Sequence, residues 1–131
     1  MTIALDANVI LRLVLRDDEA HWRAANGLFA REDIYIASGI WLEVEWVMRS
    51  VYELGVSDFL MAARHVIGLP NVETADRRSL IQALDWHEQG MDFADAFHLA
   101  SSGSARRFAT FDRDFRNRGN SLQQAIEIFT P

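Results

Sequence analysis

Two amino acids are missing from this 131-residue chain, and each absence narrows its chemistry. Without cysteine there can be no thiolate metal site, no thiol catalysis and no disulfide staple, which fits an intracellular protein. Without lysine there is no P-loop phosphate site, no Schiff base and no receiver-type phosphotransfer centre; all 13 basic residues are arginine. Proline occurs only twice, and there is no Pro/Ser-rich linker, low-complexity tract or internal repeat. No apolar run approaches the ~20 residues needed to span a bilayer. The opening residues, Met1 to Asp6, are interrupted by an acid too early for a signal peptide. A cytoplasmic protein without a membrane partner is therefore expected.

What is present is an ordinary globular composition, half apolar and a quarter charged, in a length suited to one domain covering residues 1–131. The formal net charge of −6 argues against a nucleic-acid binder working through bulk electrostatics. That objection weakens if the acids are concentrated at one site, because bound divalent cations reverse the local sign.

Apolar periodicity predicts short strands alternating with longer helices. Strands are expected at Thr2–Leu5, Ile34–Ala37, Arg107–Thr110 and Ala125–Phe129, with an edge strand at Asn71–Thr74. Helices are expected after Asn8, after an Asp17 cap, after a Ser38 cap, from Ser57 to Gly68, from Ser79 to Glu88 and from Asp92 to Ser102. Such alternation implies an α/β fold: a central, mostly parallel sheet of about four or five strands flanked by helices in three layers.

In open parallel sheets, ligands bind beyond the carboxyl ends of the strands, so the acids at those positions carry the interest. Asp6 closes the first strand, and Asp112 follows the strand ending at Thr110. Glu43 lies in the early turns of the helix after the second strand, on the face it shares with Trp46 and Val47; Glu45, two residues on, is expected in solvent. Asp92 and Asp95 form an N-cap and N3 pair, and the apolar helix that follows points Asp95 inward. Asp112 and Asp114 are read as members of a polar loop. Separate segments thus present carboxylates at equivalent places. The chemistry that uses such a set is divalent-metal-assisted phosphodiester hydrolysis, because Mg²⁺ and Mn²⁺ prefer hard oxygen ligands and activate water without a side-chain nucleophile.

The remaining polar features are less specific. His98 reads as a hydrogen-bonded helix histidine, and His21, His65 and His87 lack metal-ligand spacing. The four tryptophans fit helix faces that pack rather than stack on bases. Arg106, Arg107, Arg113 and Arg116, with Arg118, form the one basic concentration, suited either to RNA phosphates or to a solvated, salt-bridged face.

Four segments, in order, resemble the motifs of a PIN domain, and more narrowly of the VapC-type ribonuclease toxins of type II toxin–antitoxin modules. They are Leu5-Asp6-Ala7-Asn8, Leu42-Glu43-Val44-Glu45, Asp92-Phe93-Ala94-Asp95 with the helix that follows, and Ala109-Thr110-Phe111-Asp112. The resemblance implies metal binding and catalysis by Asp6, Glu43, Asp95 and Asp112. It also implies support from Asn8, Thr110, Asp92 and Asp114, and Mg²⁺ or Mn²⁺ as cofactor. RNA would be the substrate, a small cognate antitoxin the partner and a homodimer the assembly. Many members carry Thr or Ser where this chain has Ala7. Two alternatives stand beside it: a PIN-like module that binds RNA or protein without cleaving, and a haloacid-dehalogenase-like phosphatase. The latter would want an aspartate where Asn8 stands and a lysine this chain lacks.

Overall fold

Five short strands and seven helices alternate along the chain in the computed structural model, which describes residues 1–131. They fall into two units, Met1–Ala75 and Asp76–Pro131.

The first unit runs β1 (Thr2–Ala4), α1 (Ala7–Leu15), α2 (Glu19–Arg31), β2 (Asp33–Ile36), α3 (Ser38–Ser50), α4 (Val56–Ile67) and β3 (Val72–Thr74). Its strands form a parallel ladder in the order β1-β2-β3, with Ile3 opposite Ile34 and Ile34 opposite Val72. Parallel neighbours need long crossovers, and the helix pairs α1–α2 and α3–α4 supply them. The central strand alternates: Ile34 and Ile36 are fully buried while Asp33 is exposed. Trp41, at the start of α3, is also fully buried, and its indole N–H donates to Thr74 Oγ1 at 2.9 Å. That hydroxyl donates in turn to the Ile36 carbonyl at 3.1 Å, so one relay joins α3, β3 and β2. Asn71 closes the other end, donating to the carbonyls of Phe29 and Glu32 at 2.6 and 2.7 Å. Both devices satisfy groups that would otherwise be costly to remove from water.

The second unit runs α5 (Arg77–Glu88), α6 (Phe93–Ala100), β4 (Arg107–Ala109), α7 (Arg113–Ser121) and β5 (Glu127–Phe129). Helices α5 and α6 pack on each other around Leu80, Leu84, Met91, Phe93 and Leu99. Gly90 makes the reversal possible: its φ of +109° is disallowed for most L residues. His87 Nδ1 lies 2.7 Å from the Met91 carbonyl; since a carbonyl only accepts, that nitrogen carries the proton. Strands β4 and β5 pair in parallel, Phe108 opposite Ile128. Asn120 extends this ladder with a side chain, its amide bonding both the carbonyl and the N–H of Ile128.

The α/β class and the parallel strands are as expected, the five strands being hydrogen-bonded as one three-stranded and one two-stranded ladder. Four local expectations are corrected. The cap of α2 is Asp18, which accepts from the His21 N–H at 3.0 Å, whereas Asp17 is held by Arg12 and Tyr52. Ser38 is the first residue of α3, not its cap; Ala37 stands there without a side-chain bond. Helix α4 begins at Val56 after Gly55, whose N–H is met by Asp58 at 3.0 Å, so Ser57 is not its opening residue. Asp112 and Asp114, expected in a polar loop, are the cap and a first-turn residue of α7. Its buried stripe is only Phe115 and Gly119, so no apolar periodicity announces it.

Candidate active site

In the first unit Asp6 follows β1 and caps α1, its Oδ1 accepting from the Ala7 N–H at 2.7 Å. The side chain is exposed, and its other oxygen makes no bond to the protein. Capping by an aspartate satisfies an orphan helix N–H and places a negative charge at the positive end of the helix, and it occupies only one of the two carboxylate oxygens. Asn8 is exposed in the first turn of α1 and Ala7 is buried beneath it. Helix α1 packs on α3, which carries Glu43 in its second turn.

Glu43 and Glu45 exchange the environments expected of them. Glu43 is exposed and forms no ion pair, whereas Glu45 is 5% exposed and is gripped by Arg49, Nε to Oε2 at 2.9 Å and a second nitrogen to Oε1 at 3.3 Å. The i,i+4 spacing allows this fork, and a buried carboxylate needs it. Trp46 goes the same way as Glu43 and stands 54% exposed, whereas Trp41 and Trp86 are core residues as expected.

In the second unit Asp92 and Asp112 both come within electrostatic reach of Asp95. Asp92 caps α6, its Oδ2 accepting from the Asp95 N–H at 3.1 Å, the N-cap and N3 arrangement its spacing implies. Asp112 caps α7, its Oδ1 accepting from the Phe115 N–H at 3.1 Å. The Thr110 hydroxyl accepts from the Asp112 N–H at 3.0 Å and so fixes the turn that presents this acid. Asp114 is exposed in the first turn of α7.

Asp95 is the pressured member. It is half-buried in the first turn of α6, and its carboxyl accepts no hydrogen bond and meets no arginine. Loss of water pushes its pKa up to about 6, the charges of Asp92 and Asp112 push the same way, and only His98 opposes them. His98 itself is exposed and its ring makes no hydrogen bond, unlike the tethered histidine expected there.

Within neither unit do three Asp, Glu or His side chains stand close enough to hold a metal ion among themselves. The donor set of the second unit nevertheless fits a hard divalent cation. It is all carboxylate oxygen, Asp92 and Asp112 both repel Asp95, and no arginine pairs with them; a bound cation would relieve that repulsion.

Of the four arginines expected to meet RNA, two are engaged. Arg107 pairs with Glu127 at 3.4 Å and lies 3.8 Å over the Phe129 ring, and Arg116 donates to the Thr130 hydroxyl at 2.8 Å. Arg106 and Arg113 are exposed and unpaired. No helix in the chain is long and apolar enough to cross a membrane.

No curated protein matches the chain as a relative. The pattern of the PIN domain family, however, matches residues 3–120, continuously from the first strand through nearly all of α7. With Asp6, Glu43, Asp95 and Asp112 all inside the match, this chain belongs to the PIN domain family, whose members are typically metal-dependent nucleases.

Proposed function

We propose that this chain is a Mg²⁺- or Mn²⁺-dependent endoribonuclease that hydrolyses RNA phosphodiester bonds and serves as the toxin of a type II toxin–antitoxin module. Residues 1–131 act as one nuclease domain in which Asp6, Glu43, Asp95 and Asp112 supply the metal-facing carboxylates. The observation that carries this reading is the half-buried Asp95 carboxyl, left without an arginine partner while burial, Asp92 and Asp112 all disfavour its charge and only His98 opposes them. Structural acids are normally paired or solvated; an acid held in an unfavourable state by its own fold marks a functional position.

When bound, the cation lowers the pKa of a water and stabilises charge on the phosphoryl oxygens. The chain's own parts have separate tasks. Asp92 and Asp112 present carboxylates from helix caps and raise the negative field at Asp95. Thr110 holds the Asp112 backbone, and Arg106 and Arg113 offer free guanidinium groups to RNA phosphates. The VapC-like motif set supports the finer assignment: a cytoplasmic homodimer restrained by a small antitoxin.

The test is cleavage of a labelled single-stranded RNA by the purified chain with Mg²⁺, with Mn²⁺ and with chelator. Cutting is expected only with an ion, and Asp6→Asn or Asp95→Asn is expected to slow it by on the order of 10³-fold. Variants that cut like the parent overturn the catalytic assignment. A PIN-like module that binds without cutting is the second reading, favoured by the absence of three gathered ligands in either unit. It predicts no cleavage and no rise in melting temperature on Mn²⁺ titration. For the toxin role, arrested growth on expression and rescue by the product of a small adjacent gene are expected; harmless expression rejects that role.

A further inference from the structure

Between Thr110 and Asp112 stands Phe111, 82% exposed. The other phenylalanines of this part of the chain are all occupied. Phe108 and Phe115 stack on each other with centroids 4.6 Å apart and planes 16° from parallel, and Phe129 carries Arg107 on its face. Phe111 alone has no ring or guanidinium partner. Nor is it on a loose tip: the Thr110 hydroxyl bonds the Asp112 N–H on one side, and Asp112 bonds the Phe115 N–H on the other. The turn holds the ring out beside a candidate catalytic acid.

We propose that Phe111 is a stacking platform for an unpaired RNA base next to the phosphate being cleaved. This rests on the nuclease reading and adds how the substrate is positioned. The surroundings favour a base over a protein partner. A protein interface centres on a contiguous apolar patch, but the sequence neighbours of Phe111 are polar: Thr110 before it and exposed Asp112, Arg113 and Asp114 after it, with exposed Arg106 just ahead of β4. An exposed aromatic face with free arginines close by in sequence, Arg106 and Arg113, is a composition shared with single-strand readers: the ring takes the base, and guanidinium groups take the flanking phosphates. A base in a duplex is already stacked on both sides, so the platform selects single-stranded or looped RNA. Phe111 is thereby a positioning residue and takes no part in bond breaking.

The test uses the cleavage-deficient Asp95→Asn chain and a short single-stranded RNA containing 2-aminopurine, whose fluorescence is quenched by stacking. Phe111→Ala in that background is expected to weaken binding about 10-fold and abolish the quench, and Phe111→Trp to restore both. Binding of a blunt duplex should not change, and neither should the melting temperature, because the side chain is exposed. Equal binding by Phe111→Ala, or equal losses on single-stranded and duplex RNA, overturns the proposal. So does a fall in molar mass by light scattering on Phe111→Ala, which would place the ring between two copies of the chain. If the otherwise unaltered chain cuts RNA and Phe111→Ala binds normally, only the stacking inference fails. If the parent never cuts but the quench depends on Phe111, the nuclease reading fails instead.

Discussion

The Met1–Ala75 unit and the Asp76–Pro131 unit treat their shielded acids in opposite ways. In the first, the buried acid Glu45 is gripped by Arg49, and Asp17 is shared between Arg12 and Tyr52. In the second, Asp95 is half-buried with two acids nearby and no arginine against it. Each unit thus holds a shielded acid, satisfied by Arg49 in the first and left in conflict in the second, although the second also contains satisfied pairs such as Arg107 with Glu127. Satisfied pairs serve the structure. An unrelieved conflict is the pattern expected where another group uses the charge, and on the proposed reading that group is a divalent cation.

The largest effect on stability is expected in the satisfied region. Trp41→Ala removes a fully buried indole and its bond to Thr74, and should cost about 3–5 kcal/mol by denaturant unfolding. An unchanged midpoint would show that the relay through Thr74 is dispensable. Smaller, and in the second unit, is Gly119→Ala. An added Cβ there collides with the Ile128 side chain, so a loss of about 1–3 kcal/mol is expected despite the better helix propensity of alanine. A neutral outcome would mean that the end of the Ile128 side chain swings aside at little cost.

The smallest effect tests the conflict itself. Because the folded chain holds the Asp95 proton more tightly than the unfolded chain, this group's contribution to stability is complete below the ordinary aspartate pKa. It is lost as the pH rises from there through about 6. In the absence of divalent ions, Asp95→Asn should melt higher than the parent at pH 8 and match it at pH 4. The gap should be on the order of 1 kcal/mol, because the carboxyl is partly solvated. Parallel melting curves across that range would dissolve the contrast between the two units.

Much of this was legible from residue order. The strands at residues 2–4, 33–36 and 107–109 announce themselves by apolar runs, and Asp92 and Asp95 by the spacing of a cap and its third helical residue. Helix α7 was not legible, since one phenylalanine and one glycine cannot write a periodic stripe. The Glu43 and Glu45 exchange was missed for a related reason. Helical spacing locates a face only to within a residue or so; the available signal was Arg49, four positions on, which can pair with Glu45 and make its burial affordable.

Local pattern alone determined the α/β class, the parallel strands and the segments that carry acids, because periodicity and capping act over a few residues. Only the tertiary structure decided which acid is solvated, which is paired and which is strained. Desolvation and Coulomb interaction depend on distances between segments far apart in the chain: Asp112 raises the Asp95 pKa from another helix cap, 17 positions away by their numbers. The exposure of Phe111 belongs to the same class of fact, since the pairing of Phe108 with Phe115 leaves it outside.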